Sequence, residues 1–262
     1  MITIKRAWLY VQRNQKRTVL LFLLFTVLIT ISMLGFALNT ASKNAVKELR
    51  GSIGGYFTIE MSADSEDKTD EALLEQVRSL DHISKYNGLD TYHLYTDGLS
   101  LLPGRYHGTG MTGEFTPKMI GCTDTSLHER FLSSSFQLIE GRHITEADQG
   151  KAIISKEVAQ LNGLSIGDTF SGCTKDDLRG WQPGLGDFEA TFEIVGIYQA
   201  TRSEPVEPST PECDLQENII FSDIFTAKQL YQVKFPDRSP EEYRYSSGFM
   251  LFVDDPVNIP AV

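Results

Sequence analysis

Cysteine is scarce: Cys122, Cys173 and Cys213 are the whole supply in 262 residues. An odd, widely spaced trio without a C-x-x-C pair implies neither a disulfide framework nor a zinc site, although one disulfide plus a spare thiol stays open. G-x-x-x-x-G-K-[ST] is absent, so the chain has no P-loop of its own, and G-x-S-x-G and H-E-x-x-H are absent too. The five histidines (His82, His93, His107, His128 and His143) are scattered without ligand spacing. Asp64, Glu66, Asp67, Asp70 and Glu71 lack the loop spacing and turn glycine of an EF-hand, and a solvated acidic loop is the simpler reading. Gly108-Thr109-Gly110-Met111-Thr112-Gly113 spells G-x-G-x-x-G, yet no convincing strand precedes it and Thr116-Pro117 follows where a helix should open. These absences leave no catalytic, cofactor-binding or metal-binding residue to nominate. The chain reads as a non-enzyme without a cofactor, its substrate contacts unassigned.

Charge is missing altogether from residues 18–42, 25 positions in a row. Fourteen of the twenty residues 19–38 are Val, Leu, Ile or Phe. At about 1.5 Å rise per residue the stretch reaches about 37 Å, enough to cross a hydrocarbon core of about 30 Å with some tilt. Each such residue contributes roughly −0.3 to −0.6 kcal/mol to insertion, about −4 to −8 kcal/mol together, which outweighs the few Thr and Ser. Burial as an ordinary core helix is the bland alternative. A cleaved signal peptide is the more serious rival, but its apolar region is usually about 7–15 residues and ends at a small-x-small site. Ala37-Leu38-Asn39 and Asn39-Thr40-Ala41 are poor cleavage sites, and no Cys stands at the end of the run for a lipid anchor. The stretch therefore reads as an uncleaved anchor.

The flanks orient it. Residues 1–17 carry Lys5, Arg6, Arg13, Lys16 and Arg17 and no acid, whereas the far side shows Lys43, Lys47 and Arg50 nearby. A short, purely basic tail is costly to translocate, so it is expected to stay in the cytoplasm with residues 43–262 outside. Taking the tail's five positive charges from the chain's −11 leaves −16 on that exterior part. So acidic a surface argues against nucleic acid or anionic lipid as its ligand.

In the tail, Ile4, Trp8 and Val11 at i, i+4, i+7 with basic residues between suit a short interfacial helix, with Trp8 and Tyr10 at headgroup level; a frayed basic tail is the alternative. Beyond the span, Ala45, Val46 and Leu49 continue a helical pattern until Gly51, Gly54 and Gly55 end it, predicting a rod over 18–50 of about 50 Å. Strand, helix, strand over 56–61, 69–80 and 82–95 is half of a split βαβ unit, with Leu73, Leu74, Val77 and Leu80 on the helix's apolar face and a break at Asn87-Gly88. Residues 98–113 are a Gly-rich loop or hairpin tip. From 116 to 244 short strands and turns dominate: 118–121, 136–138, 152–154, 169–170, 188–200 and 218–221. Ser155 caps a helix over 156–161 that Asn162-Gly163 ends, with Val158, Ala159 and Leu161 free to pack inward. Residues 203–211 are an exposed loop, and Ser222 is placed to cap a helix over 223–232. A last strand at 245–253 leads to Asp254-Asp255-Pro256, where a second helix should begin. The sequence ends at Val262 first, so it reads as a piece of a larger protein.

Three ordered segments carry a family resemblance: LIEGRHITEAD at 138–148, AIISKEVAQLNGLSIGDTF at 152–170 and FEIVGIY at 192–198. Behind a basic tail and one N-terminal span, they resemble the N-terminal half of an FtsX-like, MacB-type ABC transporter permease. That resemblance implies an α+β fold: a transmembrane helix extending into a stalk (residues 18–42 and 43–50), then a two-lobed extracellular domain. An incomplete α/β lobe near the membrane would comprise 51–115 plus 245–262, and a mostly β inserted lobe 116–244. It further implies three more membrane helices, a second permease subunit in a homo- or heterodimer, and a cytoplasmic ABC ATPase, in a cell membrane. The function implied is transmission of ATP-driven motion to the extracellular domain for export or extraction of an amphiphilic substrate. The rival readings are a signal-anchored extracellular binding or sensor domain unrelated to transport, and an anchored extracellular enzyme.

Overall fold

The computed structural model describes residues 8, 13–53, 55–60, 69–175, 187–202 and 206–255. It divides into two compact units, residues 1–54 and 55–262. The first is one helix, α1 (Gln15–Ile53), 39 residues and about 58 Å long. Within it, Gln15–Val46 has the length and composition to cross a membrane. From Val19 to Leu38 every large apolar side chain is at least half exposed, as on a helix that is apolar all round. Three of its hydroxyls are answered within the helix: Thr26, Thr30 and Thr40 donate to the carbonyls of Phe22, Thr26 and Phe36 at 2.8, 2.8 and 3.0 Å. The helix runs on through Gly51 to Ile53, three residues beyond the predicted rod. The interfacial helix expected over 3–17 falls largely outside the described residues, as does the acidic run at 62–68; Trp8 is helical and exposed.

The second unit is built on one ten-stranded mixed sheet with helices against it, an α+β domain. Its strands are β1 (Gly55–Ile59), β2 (Ile83–His93), β3 (Tyr95–Asp97), β4 (Lys118–Cys122), β5 (Phe136–Gly141), β6 (Lys151–Ser155), β7 (Thr169–Cys173), β8 (Glu189–Ala200), β9 (Ile220–Asp223) and β10 (Phe249–Val253). The helices are α2 (Glu71–Arg78), α3 (Glu129–Leu132), α4 (Lys156–Asn162) and α5 (Ile224–Lys234). The spatial order is β1-β10-β2-β4-β9-β6-β8-β7-β3, with β5 also paired to β8. Alternation along the strands sorts the core onto two faces. Ile154, Phe192, Ile220 and Leu251 join Leu74 of α2, Val158 of α4 and Leu230 of α5, whereas Ile153, Tyr198, Phe221 and Phe252 join Phe136 and Ile144.

The eleven-residue β2 is the hinge of the topology: residues 83–88 pair with β10, and residues 89–93 pair with β4. The break expected at Asn87-Gly88 is therefore a change of partner, and the strand continues through it. Two local devices permit this. A Cβ on Gly88 would stand 2.3 Å from a ring carbon of Tyr245, so glycine lets that ring pack onto the strand. The buried Asn87 amide oxygen accepts from the Asp124 backbone N–H at 2.9 Å, tying the strand to the turn after β4.

Helix ends follow the sequence in part. Asp70 caps α2 by accepting from Leu73 N at 3.0 Å, with Glu71 in the first turn and Arg78 in the last, as the helix dipole favours. Ser155 caps α4 by accepting from Val158 N at 3.0 Å, and Gly163 ends it at φ 65°, in the left-handed region. Four expectations need correction. Leu161, expected inward, is 53% exposed, because it lies about 200° around the helix from the buried Ala159. Leu80 lies beyond the end of α2 and is exposed. Asp223, not Ser222, caps α5: its carboxylate accepts from Thr226 N at 2.8 Å, while the Ser222 hydroxyl is engaged with the Tyr92 hydroxyl at 2.7 Å. The last strand begins at Phe249 instead of Tyr245, the residues between being turns that feed the Asp90 cluster described below.

His128 caps the short α3, its Nδ1 accepting from Arg130 N at 3.2 Å, and its ring meets Phe221 edge-on at 5.0 Å. Burial first, and the Arg130 charge second, push its pKa down to about 4. A folded pKa below the unfolded value of about 6.5 means that the unfolded chain takes up the proton more readily. The stabilisation is thus complete above about pH 6.5 and lost as pH falls toward 4. Denaturant unfolding at a series of pH values is expected to show this decline. In His128→Asn, which keeps a capping acceptor, the decline should be shallower by up to about 3 kcal/mol.

Candidate functional site

In the domain unit, a cluster of polar side chains surrounds the buried Asp90 on β2. Its side chain is 8% exposed and carries a hydroxyl on each oxygen: Tyr243 donates to Oδ2 at 2.5 Å and Ser246 donates to Oδ1. Ser246 Oγ in turn accepts from Thr91 N at 2.9 Å, which fixes the hydroxyl's direction. Burial pushes the Asp90 carboxyl above the usual range, only partly opposed by those hydrogen bonds, and raises the Tyr243 phenol, which its Asp90 neighbour raises further. Asp90 and Ser246 also line a cavity of ≈ 320 Å³ whose other walls come from β2, α5 and the chain just beyond α5. No sequence pattern pointed here, because Asp90 and Tyr243 are 153 residues apart.

The Gly-rich loop after β3 is held by side chains acting as backbone partners. The Asn162 amide accepts from Ser100 N at 2.7 Å and donates to Ser100 O at 2.8 Å. Asn218 does the same two residues on, at Leu102, with 2.8 and 2.9 Å. Buried Glu212 accepts from the backbone N–H groups of Gly104 and Tyr106, both at 3.1 Å. Leu99 and Leu101, alternating with these anchors, are buried. The G-x-G-x-x-G segment is likewise satisfied from within. Gly108 and Gly110, both at positive φ, point their N–H groups at the Glu114 carboxylate at 2.9 and 3.2 Å, which lowers its pKa. A nest that already holds a carboxylate of its own chain offers no seat for a pyrophosphate.

The remaining sequence candidates are dispersed. Cys122 is buried on β4 and burial pushes its thiol up; Cys173 and Cys213 are half-buried, and the three cysteines form no disulfide. The His143 ring is 3.0 Å from the Thr125 hydroxyl, and His107 is 3.5 Å from Glu114, so the histidines serve separate local contacts. Among the described residues no group of three His, Cys, Asp or Glu is arranged to hold a metal ion. The residues that carry the family resemblance fold the domain. Gly141 turns the chain at φ 75°, and Arg142 then grips Asp148 through two hydrogen bonds of 2.7 Å each. Asp148 also accepts from the backbone N–H and hydroxyl of Thr145, at 2.9 and 3.0 Å.

No family model matches the chain. It is 24% identical over 246 residues to the uncharacterized ABC transporter permease YclI of Bacillus subtilis (strain 168), an alignment that covers 76% of this chain and 47% of that protein. The chain thus spans about half the length of this curated relative. Among solved structures, the extracellular domain of the noncanonic ABC-type transporter YknZ from Gram-positive bacteria aligns at 12% identity and TM-score 0.42, covering 79% of this chain and 87% of that one. The periplasmic region of MacB from Actinobacillus actinomycetemcomitans aligns at 10% identity and TM-score 0.40, covering 79% and 76%. In sequence, the chain is similar to an ABC transporter permease, in agreement with the FtsX-like, MacB-type resemblance carried by 138–148, 152–170 and 192–198.

The Arg142 grip, followed by burial and the Thr145 contacts, sets the Asp148 pKa, which the guanidinium lowers to about 2. A folded pKa below the unfolded value of about 3.9 gives stability that is present above that value and lost as pH falls through about 2. Arg142 is half exposed, so solvent screening limits the effect to about 1 kcal/mol. Asp148→Asn is expected to lower unfolding stability by that amount at pH 7. The gap between variant and parent should close as pH falls from about 4 to 2, as measured by denaturant titration.

Proposed function

We propose that this chain is the membrane-anchored N-terminal part of the permease subunit of an ABC transporter. In this reading hydrolysis by a separate cytoplasmic ATPase moves an extracellular domain, for export or extraction of an amphiphilic substrate. The observation that carries it is the 24% identity to a permease over 246 residues, on a chain that opens with a helix able to span a membrane. The subunit itself is non-enzymatic, since its part is mechanical. A hydrocarbon core of about 30 Å accounts for only about half of α1, leaving a length of rigid helix beyond the bilayer that reaches the residue before Gly54. A stiff element of that kind is suited to passing a displacement from one side of a membrane to the other, biased between two packings by partner helices.

Orientation in this reading follows from the flanking charge: a tail of five cations and no acid stays in the cytoplasm, and residues 43–262 stand outside. The division into a lobe of 51–115 with 245–262 and an inserted lobe of 116–244 is supported by β2, which serves β10 with one half and β4 with the other. A second permease subunit, identical or related, completes the assembly in the bilayer.

Two measurements test this together. The natural full-length protein, extracted under conditions that preserve membrane complexes, is expected to co-purify with an ABC ATPase subunit. Trypsin added to intact cells (protoplasts, if a wall intervenes) is expected to digest the part after residue 54. Failure to recover any ATPase across several mild detergents would remove the transporter reading. Protection of the domain from trypsin would reverse the orientation.

A further inference from the structure

The ≈ 320 Å³ cavity beside Asp90 combines two properties. Its walls are largely apolar and aromatic: Tyr92 and Leu230 are buried, and Tyr231 and Phe235 are half-buried with ring centroids 4.8 Å apart. It is also lined by two cations, Lys234 and Arg244, and neither has a carboxylate partner among the described residues. Lys234 stands 5.4 Å from the centre of the Phe235 ring, and Arg238 covers the same ring at 4.6 Å while donating to the Tyr231 hydroxyl at 2.9 Å. Asp237, Glu241 and Glu242 belong to the same stretch of chain, yet no ion pair joins them to these cations. The acid within the cavity, Asp90, has both oxygens occupied by the hydroxyls of Tyr243 and Ser246.

We propose that this cavity binds the anionic end and adjoining alkyl chain of a single-chain amphiphile, the chain lying against Tyr92, Leu230, Tyr231 and Phe235 and the anion meeting Lys234 and Arg244. Apolar walls with a few convergent polar groups are the usual make-up of small-molecule sites, and ≈ 320 Å³ lies at the lower edge of their range of about 300–1,000 Å³. That size suits one alkyl chain and not the paired chains of a phospholipid. Arginine adds geometric selectivity, because its planar fork matches a carboxylate through two parallel hydrogen bonds. The inference deepens the amphiphile part of the proposed function by giving it a charge and a seat. It needs no ATPase, so its failure would leave the transporter assignment standing on the co-purification result.

The test uses the full chain in nanodiscs of phosphatidylcholine and equilibrium dialysis against radiolabelled decanoate, with empty nanodiscs as the blank. Saturable uptake of one decanoate per chain is expected, with decyltrimethylammonium taken up no more than by the blank. Lys234→Glu/Arg244→Glu is expected to weaken decanoate at least tenfold and to bind the cationic probe instead. Both sites are half-buried at the surface, and Lys234→Gln/Arg244→Gln, which should weaken decanoate without recruiting the cation, repeats the test with a milder change. Phe235→Ala should weaken decanoate in the otherwise unchanged chain. Uptake equal to the blank would overturn the proposal. So would unchanged affinity in both double variants, equal binding of the two probes, or displacement of decanoate when phosphatidylglycerol replaces part of the phosphatidylcholine, since the site would then belong to the bilayer lipid.

Discussion

A helix closes its backbone hydrogen bonds within itself, and that self-sufficiency lets residues 18–42 dispense with water on every side. The transporter reading depends on it. The run contains hydroxyls, which would ordinarily be a cost in hydrocarbon, but Thr26, Thr30 and Thr40 return theirs to carbonyls four residues back. With those three hydroxyls answered locally, α1 presents Val, Leu, Ile and Phe around its whole circumference, which no helix of a water-facing surface does. The same local closure keeps α1 helical past the end of the apolar run, where Lys43 and Asn44 return, so one element carries both the apolar run and the polar residues after it.

The domain solves the reverse problem, burying polar groups within a core that is mostly sheet. Its long loop after β3 forms no ladder over 99–106, and backbone groups there would be orphaned if buried. Asn162 and Asn218 supply a donor and an acceptor each to alternate residues, reproducing with side chains what a neighbouring strand would offer. Glu212 then takes the next two N–H groups. Asn162 thereby does two things at once, ending α4 and fastening a segment 62 residues earlier. β2 economises similarly, one strand giving its two halves to different partners and so holding ten strands in a single sheet.

What the sequence disclosed and what it withheld divide along the same physical line. Local signals were legible: the charge-free run, the Ser155 cap, the Gly163 stop and the strand at 188–200 each depend on residues within a turn or two. Asn87-Gly88 misled because a composition that usually ends a strand was here accommodating the Tyr245 ring from 157 positions away. Ser222 was a plausible cap by position, but Tyr92 had claimed its hydroxyl across the sheet, and the adjacent Asp223 took the role. Leu161 misled in another way, since amphipathic spacing over seven residues leaves the buried arc loosely defined. The Asp90 cluster was invisible for the strongest reason: its members come from β2 and from the turn before β10, and no local periodicity links them.

The buried acids explain why cations are left over in a chain of net charge −11. In so acidic a domain, basic side chains would be expected to be consumed in ion pairs. Yet the most buried carboxylates are answered without a single cation. Asp90 takes two hydroxyls, Glu212 takes two backbone N–H groups, and Asp223 takes the N–H groups of Lys151 and Thr226 together with the Thr226 hydroxyl. Neutral donors avoid the desolvation of a second ion, a penalty that a buried ion pair must bear for each partner. They also leave Lys234 and Arg244 without a carboxylate partner among the described residues, beside an apolar cavity. A positive spot against a negative field attracts an anion less by long-range steering than by close contact, because at about 8–10 Å in physiological salt the wider field is already screened. Selectivity there depends on the two cations and the shape of the wall, not on the charge of the domain.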